Sequence, residues 1–457
     1  TYMGMVATDF SLIRPGALHK ANGGFLIIDA GKLLQQPYAW DGLKLALRTG
    51  CLRIDTLEKQ LTLSGSVSLE PEPIELNVTV AVLGDAEQYY LLQQYDPDFA
   101  ELFKVLAEFE GDMPRSKENQ WLYARLISSM VEQDGLLHLN QDAIMTVIEQ
   151  GSREADHQAR LSLNAADLNH LLRESDYWAR SENKDIIDDA AVREAIASRQ
   201  YRSGHLKERM FDSIKDGVIL IDTTGDKVGQ VNGLTVLRIG ESDFGQPSRI
   251  TATVHYGNGE VLDIERSVQL GGALHSKGIM ILTSFLNALF GHSDTIPMAA
   301  SLVFEQSYHG VDGDSASLGE LVCLLSAMAE TPVNQGIAVT GSINQFGDVQ
   351  PIGGVNEKIE GFFDTCASRG LTGEQGVVIP VQNVENLMLK DEVVKACKDG
   401  RFAIYAVEHV SQAIKLMTGI PAGQLSEKGR YAKNTLYGKI QQRLNRLRKK
   451  AHGKKKK

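Results

Sequence analysis

The sequence predicts a multidomain chain combining α/β and α+β units, and three observations carry that prediction. Two continuous apolar runs within residues 1–95 each end in an acid, as buried parallel strands commonly do. Across residues 96–205, apolar residues recur at helical spacing without strand-like alternation. Across residues 206–422, strand-like and helix-like stretches mix. A length of 457 residues accommodates about three such domains.

In the first segment, Gly23 and Gly24 introduce the run Phe25-Leu26-Ile27-Ile28, which ends in Asp29. An amphipathic stretch follows from Trp40 to Leu47. Alternating runs at 52–54 and 61–63 predict a hairpin. A second buried strand is predicted at 78–83, closed by Gly84 and Asp85. An acid at the carboxyl end of a buried parallel strand is either a magnesium–phosphate ligand or a helix N-cap. The residues alone leave both readings open for Asp29.

The helical segment places Leu122, Leu126, Ile127, Met130 and Val131 on one face. Ile144, Val147 and Ile148 form another, and Leu168, Leu171 and Leu172 a third. Asp188 precedes Ala191, Val192 and Ile196 as a cap precedes its helix. The charged stretch 199–215 reads as a helical link. Beyond it, strands are predicted at 218–222, 234–239, 249–255, 261–269, 300–305, 336–340, 377–379 and 402–407. Helices are predicted at 275–290, after Ser315, at 356–369 and at 409–417.

Net charge is −11, but residues 423–457 hold thirteen Lys/Arg against the single acid Glu427, a local +12. The remainder therefore carries −11 − 12 = −23. A basic tail on an acidic body points to an anionic partner, with a solvated end as the plain alternative. Leu444 and Leu447 stand with Ile440 at helical spacing within this tail. No unbroken run of about 18 apolar residues is present, so no membrane-spanning helix and no membrane partner are expected. The amino terminus, Thr1-Tyr2-Met3-Gly4, has neither an initiator Met nor signal-peptide features, and the expected location is cytoplasmic. Cys51, Cys323, Cys366 and Cys397 form no C-x-x-C pair and read as free thiols, not as zinc ligands or disulfides.

Two stretches carry chemistry. Gly310-Val311-Asp312-Gly313-Asp314-Ser315-Ala316-Ser317 presents a serine at the start of an apolar-periodic helix, where free backbone N–H groups suit an oxyanion. Gly353-Gly354-Val355-Asn356-Glu357-Lys358 presents a lysine on the first turn of another. An ordinary lysine is almost wholly protonated at neutral pH, but burial lowers its pKa and frees a base. A hydroxyl beside such an amine is a nucleophile beside its base. Thr340, at a strand end, is placed to hold the amine. A rival Ser-His-Asp scheme would use His309 with Asp312 or Asp314, but so short a loop rarely wraps a histidine back onto its serine.

These residues resemble the proteolytic domain of the Lon protease family. The matching motifs are Gly313-Asp314-Ser315-Ala316-Ser317, Thr340-Gly341-Ser342 and Pro351-Ile352-Gly353-Gly354-Val355-Asn356-Glu357-Lys358. Gly229-Gln230-Val231-Asn232-Gly233-Leu234 and Val378-Ile379-Pro380 match the opening and a late strand of that domain. The resemblance covers roughly 215–419 and is nearest the LonB-like branch. The N-terminal half is similar to part of an AAA+ module, with Asp29 at the Walker B position and residues 96–205 as its lid. Two departures stand out: Ala30 replaces the family's catalytic Glu, and no Walker A motif occurs in the sequence.

The resemblance implies a partial AAA+ domain over 1–95, a lid over 96–205, a Ser-Lys proteolytic domain over 206–422 and a basic tail over 423–457. It implies Ser315 as nucleophile, Lys358 as general base and Thr340 as its support. Backbone N–H groups near Ser315 and Ala316 become the oxyanion donors, and Asp312 matches a loop acid of the family. Peptide-bond hydrolysis would need no cofactor, while ATP and magnesium belong to a complete AAA+ module and are in doubt for this chain. The implied substrates are unfolded proteins or peptides, processed in a homo-oligomeric, hexameric ring. Nucleic acid is a further partner expected of the tail. A proteolytically silent Lon-like scaffold or DNA-binding ring is the alternative function.

Overall fold

The computed structural model describes residues 14–53, 72–239, 242–291, 296–308 and 310–454. The expected hairpin run at 61–63, the residue His309 and the first four residues lie outside these. Two compact units divide the chain between Phe109 and Glu110.

In the first unit, Phe25–Asp29 pairs in parallel with Thr79–Leu83. The sequence predicts both strands to be buried, yet Phe25 and Ile27 are 76% and 67% exposed. Among the described residues the sheet is a two-stranded pair, and exposure alternates along it because only one face is covered. Asp29 accepts a hydrogen bond from the Lys32 N–H at 2.8 Å and caps the short helix Ala30–Leu34, so the cap reading of this acid holds. The unit extends past residue 95 because Trp40 stacks on Phe103 and lies near Phe99. Trp40 and Lys44 also both donate to Asp96, at 2.6 and 2.8 Å.

The second unit begins with helices Lys117–Asp134, Gln141–Glu154, Ala165–Ser181 and Asp189–Ser203. Ser116, Asn140, Asn164 and Asp188 cap them by accepting backbone N–H bonds. Their shared core contains Tyr123, Ile127, Val131, Val147, Leu171 and Leu172. Leu122, expected on the buried face, is 47% exposed, and Tyr123 takes its place. Residues 123, 127 and 131 follow the i, i+4 row more closely. The predicted link at 199–215 is helical but breaks at Gly204, where the helix His205–Lys215 begins.

The rest of the unit is built on a seven-stranded sheet. Its strands are β1 (Gln230–Ile239), β2 (Ser242–Tyr256), β3 (Val261–Asp263), β4 (Met298–Phe304), β5 (Ile337–Val339), β6 (Gly376–Pro380) and β7 (Ala403–Val407). Their spatial order is β3-β4-β2-β1-β5-β6-β7. β1, β2 and β4 pair antiparallel, whereas β1, β5, β6 and β7 pair in parallel. The predicted strand at 218–222 is absent. Its backbone is held instead by side chains, as where Gln306 accepts from the Leu220 N–H and donates to the Val218 carbonyl. The predicted strand at 261–269 ends at Asp263 and turns into the one-turn helix Ile264–Ser267.

Helices cover both faces. One face carries α1 (Ala273–Phe290), α2 (Ser317–Ala329), α4 (Val410–Thr418) and α5 (Leu436–Lys454). The other carries α3 (Val355–Arg369), introduced between β5 and β6. Every residue of β6 is buried, with Val378 in one core and Val377 and Ile379 in the other. Every residue of α2 is buried, which makes it the central helix of its layer. By length and composition α1 would also suffice to span a bilayer, contrary to the sequence expectation. Here Ile279, Leu282, Phe285 and Leu286 of α1 are buried in the core.

The basic tail is not a solvated end in its described part. Leu436, Tyr437, Ile440 and Leu444 of α5 are buried in the same core as α2. Arg443 donates to the carbonyls of Ala327 and Met328 at 2.8 and 2.9 Å, and Arg448 donates to the Phe290 carbonyl at 3.4 Å. These cations therefore meet the negative ends of α2 and α1. If α5 is part of the core, Leu444→Ala should lower unfolding free energy by about 2–4 kcal/mol. Lys449→Ala, on an exposed position, should change it by less than about 0.5 kcal/mol in the same urea titration.

Candidate active site

The serine turn is strapped at both ends. On its amino-terminal side, the Val311 N–H donates to the Leu270 carbonyl and the Gly272 N–H to the Val311 carbonyl, each at 2.8 Å. Asp312 accepts from the N–H groups of Gly313, Leu274 and His275, at 2.8, 3.2 and 3.4 Å. It thus caps α1 from outside, and these N–H groups hold its carboxyl below the usual range. Gly313 has a φ of +94°, where a side chain would be strained. On the carboxyl side, the Ser315 carbonyl accepts from the Gly341 N–H at 2.8 Å. The Ile343 N–H donates to the Ser317 hydroxyl at 3.2 Å, and Ser342 donates to Asp314 at 2.8 Å.

Lys358 comes from the first turn of α3, which follows Gly354 in the left-handed region at φ +65°. Backbone contact sets how α3 crosses the sheet. A Cβ on Gly361 would lie 2.0 Å from the Gly245 carbonyl oxygen, and one on Gly245 would lie 2.0 Å from the Glu357 carbonyl oxygen. The helix therefore rests directly on β2, with no side-chain layer between them at this point.

Lys358 Nζ donates to Ser315 Oγ at 3.1 Å. The lysine is only 4% exposed. Burial pushes its pKa down to about 8, against the opposing pull of Asp314 and Glu357. The pair opens onto a cleft walled by Pro351, Ile352 and Gly353 on one side and Asn383 and Asn386 on another. Asn383 pins that wall by accepting from the Ile352 N–H at 2.9 Å and donating to its carbonyl at 2.8 Å. Among the described residues, nothing accepts from the backbone N–H groups of Ser315 and Ala316. They remain available to a developing oxyanion.

Sequence and structure agree on some placements and differ on others. Ser315, Lys358 and the Ala316 backbone lie together. Thr340, expected beside the amine, instead donates its hydroxyl to the Ser315 carbonyl at 3.3 Å, and so supports the turn. Asp312 faces α1. Asp29 belongs to the other compact unit and caps its own helix. Sequence reasoning missed Asn383 and Asn386, for which the two asparagines just after the strand ending at Pro380 were the available signal. It also missed the tie between the helical segment and α3. Arg153 donates to both oxygens of Glu360, at 2.7 and 3.0 Å, two residues beyond the lysine.

Comparison with known proteins matches three regions. Residues 1–110 match a LonB-like AAA domain, and residues 138–202 the AAA+ ATPase lid domain of archaeal LonB. Residues 221–418 match the Lon protease (S16) C-terminal proteolytic domain. A Lon protease homolog of Escherichia coli is 40% identical over 413 residues, covering 89% of this chain and 69% of that protein. One of Haemophilus influenzae is 36% identical over 414 residues, covering 90% and 67%. The archaeal Lon protease of Archaeoglobus fulgidus is 26% identical over 407 residues, covering 88% and 62%.

The buried lysine makes a stability prediction whose sign is fixed. Its folded pKa, about 8, lies below the ordinary 10.5. The unfolded chain therefore holds more protons between those pH values, and stability contributed by this group rises with pH across that window. Below pH 8 the folded state carries the full cost of a buried ammonium, on the order of 3 kcal/mol. Lys358→Met should raise the urea midpoint at pH 7, and the gain should shrink as pH approaches 10. A gain unchanged from pH 7 to pH 10 would contradict the assignment.

Proposed function

Because this chain belongs to the Lon protease family, we propose that it is a serine endopeptidase in which Ser315 is the nucleophile and Lys358 the general base. The observation that carries this reading is the 3.1 Å contact from a sealed amine to an accessible hydroxyl. With a pKa of about 8, roughly a tenth of the amine is unprotonated at pH 7, against less than about one in a thousand for an ordinary lysine. The neutral amine takes the Ser315 proton as Oγ attacks the scissile carbonyl. The resulting oxyanion is met by the N–H groups of Ser315 and Ala316. Lys358 then returns the proton to the departing amine, and later deprotonates the water that releases the acyl group.

Family membership supports unfolded protein or peptide substrates and assembly into a ring of identical chains, a hexamer in this reading. ATP is not required for small peptides. Ala30 has no carboxylate to activate water where the family's Walker B motif carries a Glu. Its side chain is buried, and a Cβ on Gly84 would lie 3.2 Å from it.

Ser315→Ala should abolish turnover of a fluorogenic peptide while leaving the urea midpoint near that of the parent. Lys358→Arg should be as inactive as Lys358→Ala, since a guanidinium is not a base near neutral pH. The parent's pH–rate profile should rise on an apparent pKa near 8. Turnover by Ser315→Ala equal to the parent's would overturn the assignment and favour the scaffold alternative. ATP should leave peptide turnover unchanged within a factor of about two in the same assay.

A further inference from the structure

A second group of ionisable side chains lies beside the serine turn and takes no part in the proposed reaction. Asp263 ends β3, Glu265 lies on the one-turn helix after it, His275 is on the first turn of α1, and Glu320 is on α2. All four are at most 5% exposed. His275 Nε2 is 3.2 Å from Asp263 Oδ2, and His275 Nδ1 is 3.8 Å from Glu320 Oε1. Glu265 accepts from the Phe304 N–H at 2.8 Å.

Two features separate this group from an ordinary buried ion pair. Both Asp263 carboxylate oxygens and His275 Nε2 are sealed from solvent, and among the described residues none of them has a well-aligned hydrogen bond, although Asp263 and His275 face each other as an ion pair. Such atoms are expensive to bury unless something else engages them. Carboxyl groups also outnumber bases here: three face one imidazole, and among the described residues no lysine or arginine pairs with any of them.

The three side chains converge closely enough to share one ion. One ligand atom each from Asp263, Glu265 and His275 lies within 4.8 Å of the other two. The 3.2 Å contact between Nε2 and Oδ2 lacks hydrogen-bond alignment. Two ligands of a tetrahedral metal with bonds of about 2.0 Å stand about 3.3 Å apart. Glu320 stands 3.8 Å from the other ring nitrogen, on the side from which a carboxyl orients a metal-bound histidine once the two close to hydrogen-bond distance. One imidazole with two carboxylates favours a first-row transition ion over magnesium or calcium, which prefer all-oxygen sites.

We propose that Asp263, Glu265 and His275 form a buried site for one first-row divalent cation such as zinc, with Glu320 orienting the His275 ring. The cation would join the end of β3 to the first turn of α1. Through Glu320 it would also reach α2, the helix that starts just after Ser315. Its role is to hold the serine turn from behind, and the proposal stands whether or not Ser315 is a nucleophile.

The test uses the full chain, stripped with a chelator, incubated with zinc chloride, desalted and assayed for metal by mass spectrometry. The parent should retain about one equivalent more zinc than Asp263→Asn or His275→Gln, and zinc should raise the thermal midpoint of the parent alone. No zinc retained by the folded parent, or equal retention by a folded variant, overturns the site and leaves a proton-sharing network. If neither variant folds, cobalt(II) titration of the parent decides. Visible d–d absorption saturating at one equivalent supports the site, and its absence overturns it.

Discussion

The Lon-type part of this chain is built around one lysine amine kept out of water. Lys358 is sealed because α3 lies backbone-to-backbone on β2, through Gly245 and Gly361, leaving no room for solvent or a side chain between them. That contact lowers the pKa of the amine and also sets its height above the sheet. On the other side, Gly341 closes on Ser315: its N–H binds the Ser315 carbonyl, and a Cβ there would strike Leu318 at 2.9 Å. The 3.1 Å contact between the two side chains therefore follows from two close backbone approaches, one on β2 and one just past the end of β5. Burying a charge at such a site costs stability, as expected where structure is shaped for chemistry.

The same helix receives the helical segment before it. Arg153 forks onto Glu360 and also donates to the Met388 carbonyl at 2.6 Å. Asn356 accepts from the Met388 N–H at 2.7 Å and donates to Asp156 at 3.2 Å. Glu360 is buried, so losing Arg153 would leave its carboxylate only the Lys390 N–H at 3.0 Å and the Lys390 amine at 3.8 Å, a larger penalty than breaking a surface pair. The lid-like segment is thereby fastened to the helix that carries the lysine, within two residues of it on either side.

Charge elsewhere in the unit is also put to structural use. The basic face of α5 supplies cations to the carbonyl ends of α1 and α2, while its apolar face completes the core. Asp312 does the opposite at the start of α1, placing a carboxylate where the helix N-terminus is positive. Both ends of α1 are thus closed by side chains from other elements. Between those ends, Ile279, Leu282, Phe285 and Leu286 bury the apolar face of the helix in the core.

Ordering of elements, the mixed α/β and α+β character and the Ser315–Lys358 pairing were legible in the sequence. Apolar periodicity and glycine placement are local signals, and the strands at Ile337–Val339 and Gly376–Pro380 and the helix at Val355–Arg369 obey them. The tertiary structure decided everything that depends on what lies across from a residue. It left Phe25 and Ile27 on an open sheet face, where the apolar run had implied burial. It turned Thr340 toward the Ser315 carbonyl, placed Asp312 on α1 and drew the basic tail into the core. It also gathered Asp263, Glu265, His275 and Glu320, which no spacing links, into one sealed cluster. Periodicity says which face of an element is apolar, but desolvation, and with it the pKa of Lys358, exists only once a second element has closed over the first.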